Sequence, residues 1–245
     1  MSIEYPKEKN FPIVRHGEIQ DLGILIEHDQ KPPYEDLIAF WRGESDPPIN
    51  VMATNAIIEC KITEGGLDLS RVNSVVTSDT LRARQTGELL ARRVGLGKTA
   101  IHAVKYFNEV KLPIHVVSEE EYDKIATFSG VRNKVFGAFL KGLKEHQDDE
   151  GLVEAYKRAL RAREYLKKVT VLAPNTKPLI VMHGFFGRIF QIAVEHGHEQ
   201  WTDEEIIQHL PEEFRKTARP GNISGMNVKV VVDKNHQRFE IVSII

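Results

Sequence analysis

The chain has almost no cysteine. Cys60 stands alone among 245 residues, so no disulfide can close within the chain, and the usage predicts a reducing, cytoplasmic setting. Nor is there an excess of either charge: 33 lysines and arginines against 35 aspartates and glutamates leave a net −2. Without a global field the chain has no general grip on nucleic acid or on an anionic membrane, so any anion site has to be built locally. No run of about eighteen apolar residues occurs, so no transmembrane helix is expected. The opening MSIEYPKEKN lacks the apolar stretch of a secretory signal. Gly/Ser-rich linkers, internal repeats and low-complexity tracts are missing too, and 1–245 therefore reads as one domain.

What is present suits a globular protein with a substantial core: 41% hydrophobic and 28% charged residues. Four short apolar segments read as buried strands, Pro12–Val14, Ser74–Val76, Leu179–Met182 and Val228–Val232. They are mostly β-branched and continuous, as strands covered on both faces tend to be. Helical patterns alternate with them: Thr80–Arg93, with Gly95 placed to end it, Gly151–Lys168, and Phe185–Glu195. Ser118–Glu121 (SEEE) and Thr202–Glu205 (TDEE) both match the capping-box pattern and predict helix starts. The tail reads as a hairpin turning at Asp233–His236. This alternation predicts a largely parallel sheet with helices on both faces. Two stretches, 29–49 with its two Pro-Pro pairs and 112–150 with short charge-bounded helices, read as insertions that could cover a site at the strand ends.

Chemistry-bearing residues gather at those strand ends. His16 closes the first strand as Val-Arg-His-Gly, and His183 closes a later one as Val-Met-His-Gly with a helix following. In open α/β sheets ligands bind beyond the carboxyl ends of the strands. A third segment, VVTSDTLRARQTGELL at 75–90, ends a strand in Thr77-Ser78-Asp79 and starts a helix with Arg82 in its first turn. Free N–H groups at a helix start attract anions, and an arginine there adds a bidentate clamp. Taken alone, this segment suits a simpler account in which Asp79 or Thr80 caps the helix and Arg82 and Arg84 are solvated.

Together VRHGE, TSDTLRARQTGELL and VMHGFFGR resemble the motifs of the histidine phosphatase, or phosphoglycerate mutase-like, superfamily, in the same order and over residues 11 to 232. The resemblance implies a three-layer α/β/α sandwich and a metal-free, cofactor-free phosphomonoesterase acting on a small phosphate ester. It implies His16 as nucleophile, forming a phosphohistidine, and Arg15, Arg82 and His183 around the phosphoryl oxygens. The backbone N–H of Gly184 would be a further donor, and Glu109 in KYFNEV would be the proton donor. GNISGM at 221–226 is similar to the family's closing Asn-x-Ser segment. Two departures bear on activity. RHGEIQDLGIL lacks the asparagine that mutases carry soon after the first histidine. Asn-Glu-Val-Lys-Leu-Pro stands where mutases show Asn-Glu-Arg-x-Tyr-Gly. Both favour a phosphatase. A phosphoglycerate mutase-type transferase and a non-catalytic phospho-ligand binding module remain as alternatives.

Two apparent motifs carry no chemistry. GLGKT at 95–99 would need glycine at position 92 to be a phosphate-binding loop, where Arg92 stands instead. His196-Gly197-His198 has no carboxylate or cysteine at metal-ligand spacing. Tyr34, Phe40 and Trp41 read as the core of the first insertion.

Overall fold

The computed structural model describes residues 7–16, 29–42, 44–59, 69–143, 149–217, 225–233 and 237–244. Six strands form one sheet: β1 (Lys7–Arg15), β2 (Ser74–Thr77), β3 (Ile101–Ala103), β4 (Pro178–Met182), β5 (Gly225–Val232) and β6 (Gln237–Ile244), in the order β3-β2-β4-β1-β5-β6. The β2–β3, β2–β4 and β1–β4 pairs are parallel. The β1–β5 and β5–β6 pairs are antiparallel, and β5 alone runs against the others. The predicted hairpin is present, with Val232 opposite Gln237, although its turn at 234–236 lies outside the described residues.

Eight α-helices are described: α1 (Tyr34–Arg42), α2 (Val51–Glu59), α3 (Leu81–Arg93), α4 (Glu119–Lys124), α5 (Phe128–Leu140), α6 (Leu152–Leu172), α7 (Gly184–His196) and α8 (Asp203–Lys216). Side chains alternate across a strand, and the central strands use that alternation to separate two apolar layers. Val14, Val75, Leu179 and Val181 pack with Ile57 of α2 and Ala83 and Leu90 of α3. Ile13, Val76, Ile180 and Met182 face the other way, onto Ala159 of α6, Ile189 of α7 and Leu210 of α8. The three layers follow from this division. No helix of the described residues is long and apolar enough to cross a membrane.

Local signals account for several boundaries. Both capping boxes are formed: Ser118 Oγ accepts from Glu121 N and Thr202 Oγ1 from Glu205 N, each with the reciprocal glutamate contact. Gly95 terminates α3 with φ +76°, in the left-handed region that glycine enters at no steric cost. Elsewhere the structure corrects the prediction. β3 was not foreseen, and α6 runs to Leu172 rather than Lys168. β5 alternates buried and half-buried residues instead of being covered throughout, because it lies toward the sheet edge. The stretch 112–150 holds the thirteen-residue α5 as well as a short helix. Leu37 and Ile38 from 29–49, and Val131, Val135 and Phe139 from 112–150, join the main apolar cluster rather than forming clusters of their own.

Candidate active site

Three neighbouring strands, β2, β4 and β1, end side by side, and each hands the chain to a residue with chemistry. His16 follows β1, Ser78 follows β2 and His183 follows β4. Backbone bonds carry the pairing past the strands: His16 N–H donates to Met182 O at 3.0 Å and Ser78 N–H to Val181 O at 3.0 Å. The sheet thus fixes the height of all three residues. The histidine rings meet edge to face, with centroids 4.8 Å apart. His16 is 7% exposed and His183 fully buried.

Arg82 joins them. It lies in the first turn of α3, which packs on the sheet through Ala83, Thr86 and Leu90, and this buries Arg82 while Arg84 points outward. Its Nε donates to His16 Nε2 at 3.3 Å and its Nη2 to His183 Nδ1 at 3.4 Å. The simpler account of this segment holds in part: Arg84 is exposed and Thr80 is the N-cap, but the Thr80 side chain makes no capping bond and Arg82 is buried.

Because a guanidinium only donates, its contacts assign the imidazole lone pairs. His16 Nε2 and His183 Nδ1 are acceptors. His183 then carries its proton on Nε2, 2.7 Å from Ser78 Oγ, which also lies 3.0 Å from Thr80 Oγ1. Burial, followed by the charge of Arg82, His16, Arg15 and Arg158, pushes the His183 pKa well below 6.5. His183 is therefore a neutral donor at neutral pH. Burial likewise lowers the Arg82 pKa, opposed by Glu109 and Asp46.

Arg15, the last residue of β1, lays its side chain along the backbone of Gly184. A Cβ at 184 would come within 2.9 Å of Arg15 Nε and 3.2 Å of its Cδ. Glycine here permits a close approach of arginine to the first turn of α7. That helix start is also where Glu109 is held. Its Oε1 accepts from Phe186 N at 2.8 Å and Val110 N at 3.0 Å, while Oε2 takes only a long contact, 3.4 Å, from Phe185 N. Glu109 is half-buried and acts as a remote cap of α7. Arg158 of α6 steadies the loop that carries it, donating to Asn108 O at 2.6 Å and Tyr106 O at 3.1 Å while pairing with both oxygens of Glu150.

The structure therefore brings together His16, His183, Arg15, Arg82, Gly184 and Glu109. Sequence reasoning gave Ser78, Asp46 and Arg158 no part. Ser78 sat inside a noticed motif and could have been assigned as a partner for a strand-end histidine. Asp46 reaches Arg82 across 36 positions, with Oδ1 3.0 Å from Nη1. Arg158 reaches the Glu109 loop across about 50 positions. Neither link has a local sequence signal. Of GNISGM, residues 221–224 lie outside the described residues, and Gly225 and Met226 begin β5. The Tyr34, Phe40 and Trp41 group divides: Tyr34 and Trp41 pack on the main core, whereas the Phe40 ring sits 5.0 Å from the Arg82 guanidinium. His196 binds carboxylates, Glu199 at 2.8 Å and Glu213 at 3.5 Å.

Two guanidinium groups, the lone-pair nitrogen of His16 and a neutral His183 held between Ser78 and Arg82 meet at strand ends beside a helix start, a cradle whose positive charge suits a small dianion. Solved structures of the same fold include a mycobacterial glucosyl-3-phosphoglycerate phosphatase in complex with VO3, 14% identical with a TM-score of 0.60 over 97% of this chain and 98% of that one. A phosphoglycerate mutase from Bacillus anthracis is 14% identical, with a TM-score of 0.56 over 97% and 93%. A phosphoserine phosphatase variant from Entamoeba histolytica, in complex with phosphoserine, is 14% identical, with a TM-score of 0.53 over 96% of each chain. No curated protein matches the sequence. The sequence family described as histidine phosphatase superfamily (branch 1) matches residues 12–211, which span the strand ends of β1, β2 and β4 and the whole cradle. The chain belongs to the histidine phosphatase superfamily.

Proposed function

We propose that this protein hydrolyses small phosphate monoesters through a phosphohistidine on His16, without a metal, in the cytoplasm. The observation that carries the reading is the contact of Arg82 Nε with His16 Nε2 at 3.3 Å. It supports the reading because the lone pair of His16 Nε2 lies beside the clamp, where a bound phosphoryl group would meet it as a nucleophile. A binding module would gain nothing from that arrangement, since anion binding needs donors and no nucleophile.

In the first step His16 Nε2 forms a bond to phosphorus while the ester P–O bond breaks. Arg15, Arg82 and the N–H of Gly184 take the charge on the phosphoryl oxygens, and the Nε2–H of His183 joins them once a phosphoryl oxygen replaces Ser78 Oγ as its acceptor. The departing alkoxide takes a proton from Glu109. Oε2 is the oxygen suited to carry it, because among the described residues it takes one long contact, from Phe185, whereas Oε1 already accepts two N–H bonds. In the second step water attacks phosphorus, its proton passes to Glu109, the N–P bond breaks and phosphate leaves. On this reading 1–245 is one unit, with 29–49 and 112–150 as insertions shaping access.

The test is a chemical trap. Phosphate labelled from the substrate and quenched in alkali should remain on the wild-type chain, be released by acid, and be missing from His16→Ala. Label retained by His16→Ala would overturn the assignment. Absence of label and of turnover across a panel of phosphate esters would overturn the activity.

A further inference from the structure

Asp46 belongs to the segment 29–49 and not to any motif, yet it touches the clamp at two points. Its Oδ1 lies 3.0 Å from Arg82 Nη1, and its Oδ2 accepts the N–H of Leu81, the first residue of α3. Thr80 makes no side-chain cap, so a distant carboxylate supplies one. The same loop is tied down again further on, where Ile49 N–H donates to Gln85 Oε1 at 2.9 Å. Between these ties stand Pro47 and Pro48, whose fixed φ angles stiffen the backbone. Phe40, from the helix before the loop, covers Arg82 with its ring.

A carboxylate on an arginine and a helix start could be taken as a plug in the phosphate site. The geometry of the guanidinium argues otherwise. In this planar group Nε and Nη2 share one edge, and Nη1 lies across from Nε. The Nε/Nη2 edge faces His16 and His183. Asp46 holds Nη1, so it leaves the edge beside the nucleophile to the two long histidine contacts, which a bound phosphoryl group would replace. The carboxylate grips the clamp from behind, as outer carboxylates do when they orient a charged group.

We infer that Asp46 is a positioning residue for the phosphoryl clamp: it fixes the Arg82 guanidinium, and the α3 start behind it, in the plane that presents Nε and Nη2 to the substrate. The inference deepens the phosphatase reading and rests on it for the identity of the anion. A displacement of about 1 Å in such a group can cost about 100-fold in rate, so Asp46→Ala should lower kcat by roughly 10–100-fold.

The experiment measures vanadate binding and nitrophenyl phosphate turnover for wild type, Asp46→Ala, Arg82→Ala and the double variant, with melting temperature recorded for each. If Asp46 acts through Arg82, vanadate binding and kcat fall in Asp46→Ala, and adding Asp46→Ala to Arg82→Ala costs little more. Tighter vanadate binding or faster turnover in Asp46→Ala would identify a plug and overturn the inference. Unchanged binding and turnover, with or without a lower melting temperature, would overturn it as well, as would full additivity with Arg82→Ala. Should the wild type turn over no ester, the vanadate cycle still decides the role of Asp46 while the phosphatase reading falls separately.

Discussion

Gly184→Ala is expected to damage activity while sparing the fold. Gly184 is the first residue of α7, and its φ lies outside the left-handed region, so alanine fits the backbone. The new methyl would instead meet Arg15, at 2.9 Å from Nε, 3.2 Å from Cδ and 3.3 Å from Cζ. These atoms are the middle of the side chain as well as its head, so the whole guanidinium must withdraw. Restoring ordinary contacts of about 3.5–4.0 Å requires a shift of roughly 0.5–1 Å. For stability, overpacking costs about 1–3 kcal/mol, and replacing a helical glycine by alanine returns about 0.5–1 kcal/mol. The net loss of at most about 2.5 kcal/mol corresponds to a drop in melting temperature of under about 10 °C for a chain of this size. For the reaction, the same shift in a group that holds the phosphoryl oxygens should cost about 10–100-fold in kcat/KM. Steady-state kinetics on nitrophenyl phosphate beside a thermal melt reads both quantities on one preparation. A Gly184→Ala enzyme with wild-type kcat/KM would refute the placement of Arg15 at the phosphoryl group, because the methyl cannot be accommodated with Arg15 left where it is.

Other expectations follow from the same site. Glu109→Gln should slow alkyl phosphate hydrolysis about 10²–10⁴-fold and nitrophenyl phosphate hydrolysis far less, since nitrophenolate leaves without a proton. An equal effect on both, with no burst of nitrophenol, would mean the proton comes from elsewhere. EDTA should leave hydrolysis unchanged and vanadate should inhibit it, because on the proposed reading arginines rather than a metal take the charge on the phosphoryl group; activity lost to EDTA and regained with Mg²⁺ or Zn²⁺ would point to a different chemistry. His183 links stability to pH. Its folded pKa is depressed below 6.5, so the unfolded chain takes up a proton that the folded one refuses. Its contribution is complete above pH 6.5 and lost as the pH falls below it, at up to about 1.4 kcal/mol per pH unit. Urea midpoints at pH 7 and 5.5 should therefore converge in His183→Asn relative to wild type, and parallel losses in the two proteins would count against this.

The strand-end residues were legible because β1, β2 and β4 are central strands. Near their carboxyl ends they carry short apolar runs, at 11–14, 75–76 and 179–182, and the polar residues that follow mark where the chain leaves the sheet. His183 stands at that point, and His16 and Ser78 one residue beyond it. Helix starts were legible wherever the signal is local, as at Ser118 and Thr202. β3 was not, since it has three residues, sits at the sheet edge and leaves His102 and Ala103 exposed, with no burial to shape its sequence. α2 was missed for a related reason: Val51, Met52 and Ile58 are apolar yet exposed, so no face stands out. In α6, β-branched Val169, Thr170 and Val171 suggested an end at Lys168. Tertiary contact overrides that propensity, with Thr170 buried and its hydroxyl returned to Leu166 O at 2.9 Å. Asp46 is the instructive omission. Its role depends on where a loop crosses the start of α3, which no local pattern encodes.

The two stretches expected to shape access are also not independent of each other. Tyr34 OH donates to Val117 O at 2.8 Å, Arg42 Nε donates to His115 Nε2 at 3.1 Å, and Trp41 packs on Phe128 with centroids 6.0 Å apart. Each stretch in turn rests on a different part of the cradle. The first reaches Arg82 through Phe40 and Asp46. The second reaches the start of α7, where Phe185 packs on Phe136 and Phe139 at 4.5 and 5.2 Å, one residue from Gly184. Arg82 contacts both histidines and Gly184 directly follows His183, so the paired stretches together reach the cradle at its clamp and at its helix start. A change that alters the seam between them, such as Arg42→Ala, acts on both sides at once. Rate effects of seam and clamp substitutions should then be non-additive, as expected for groups that share a contact network.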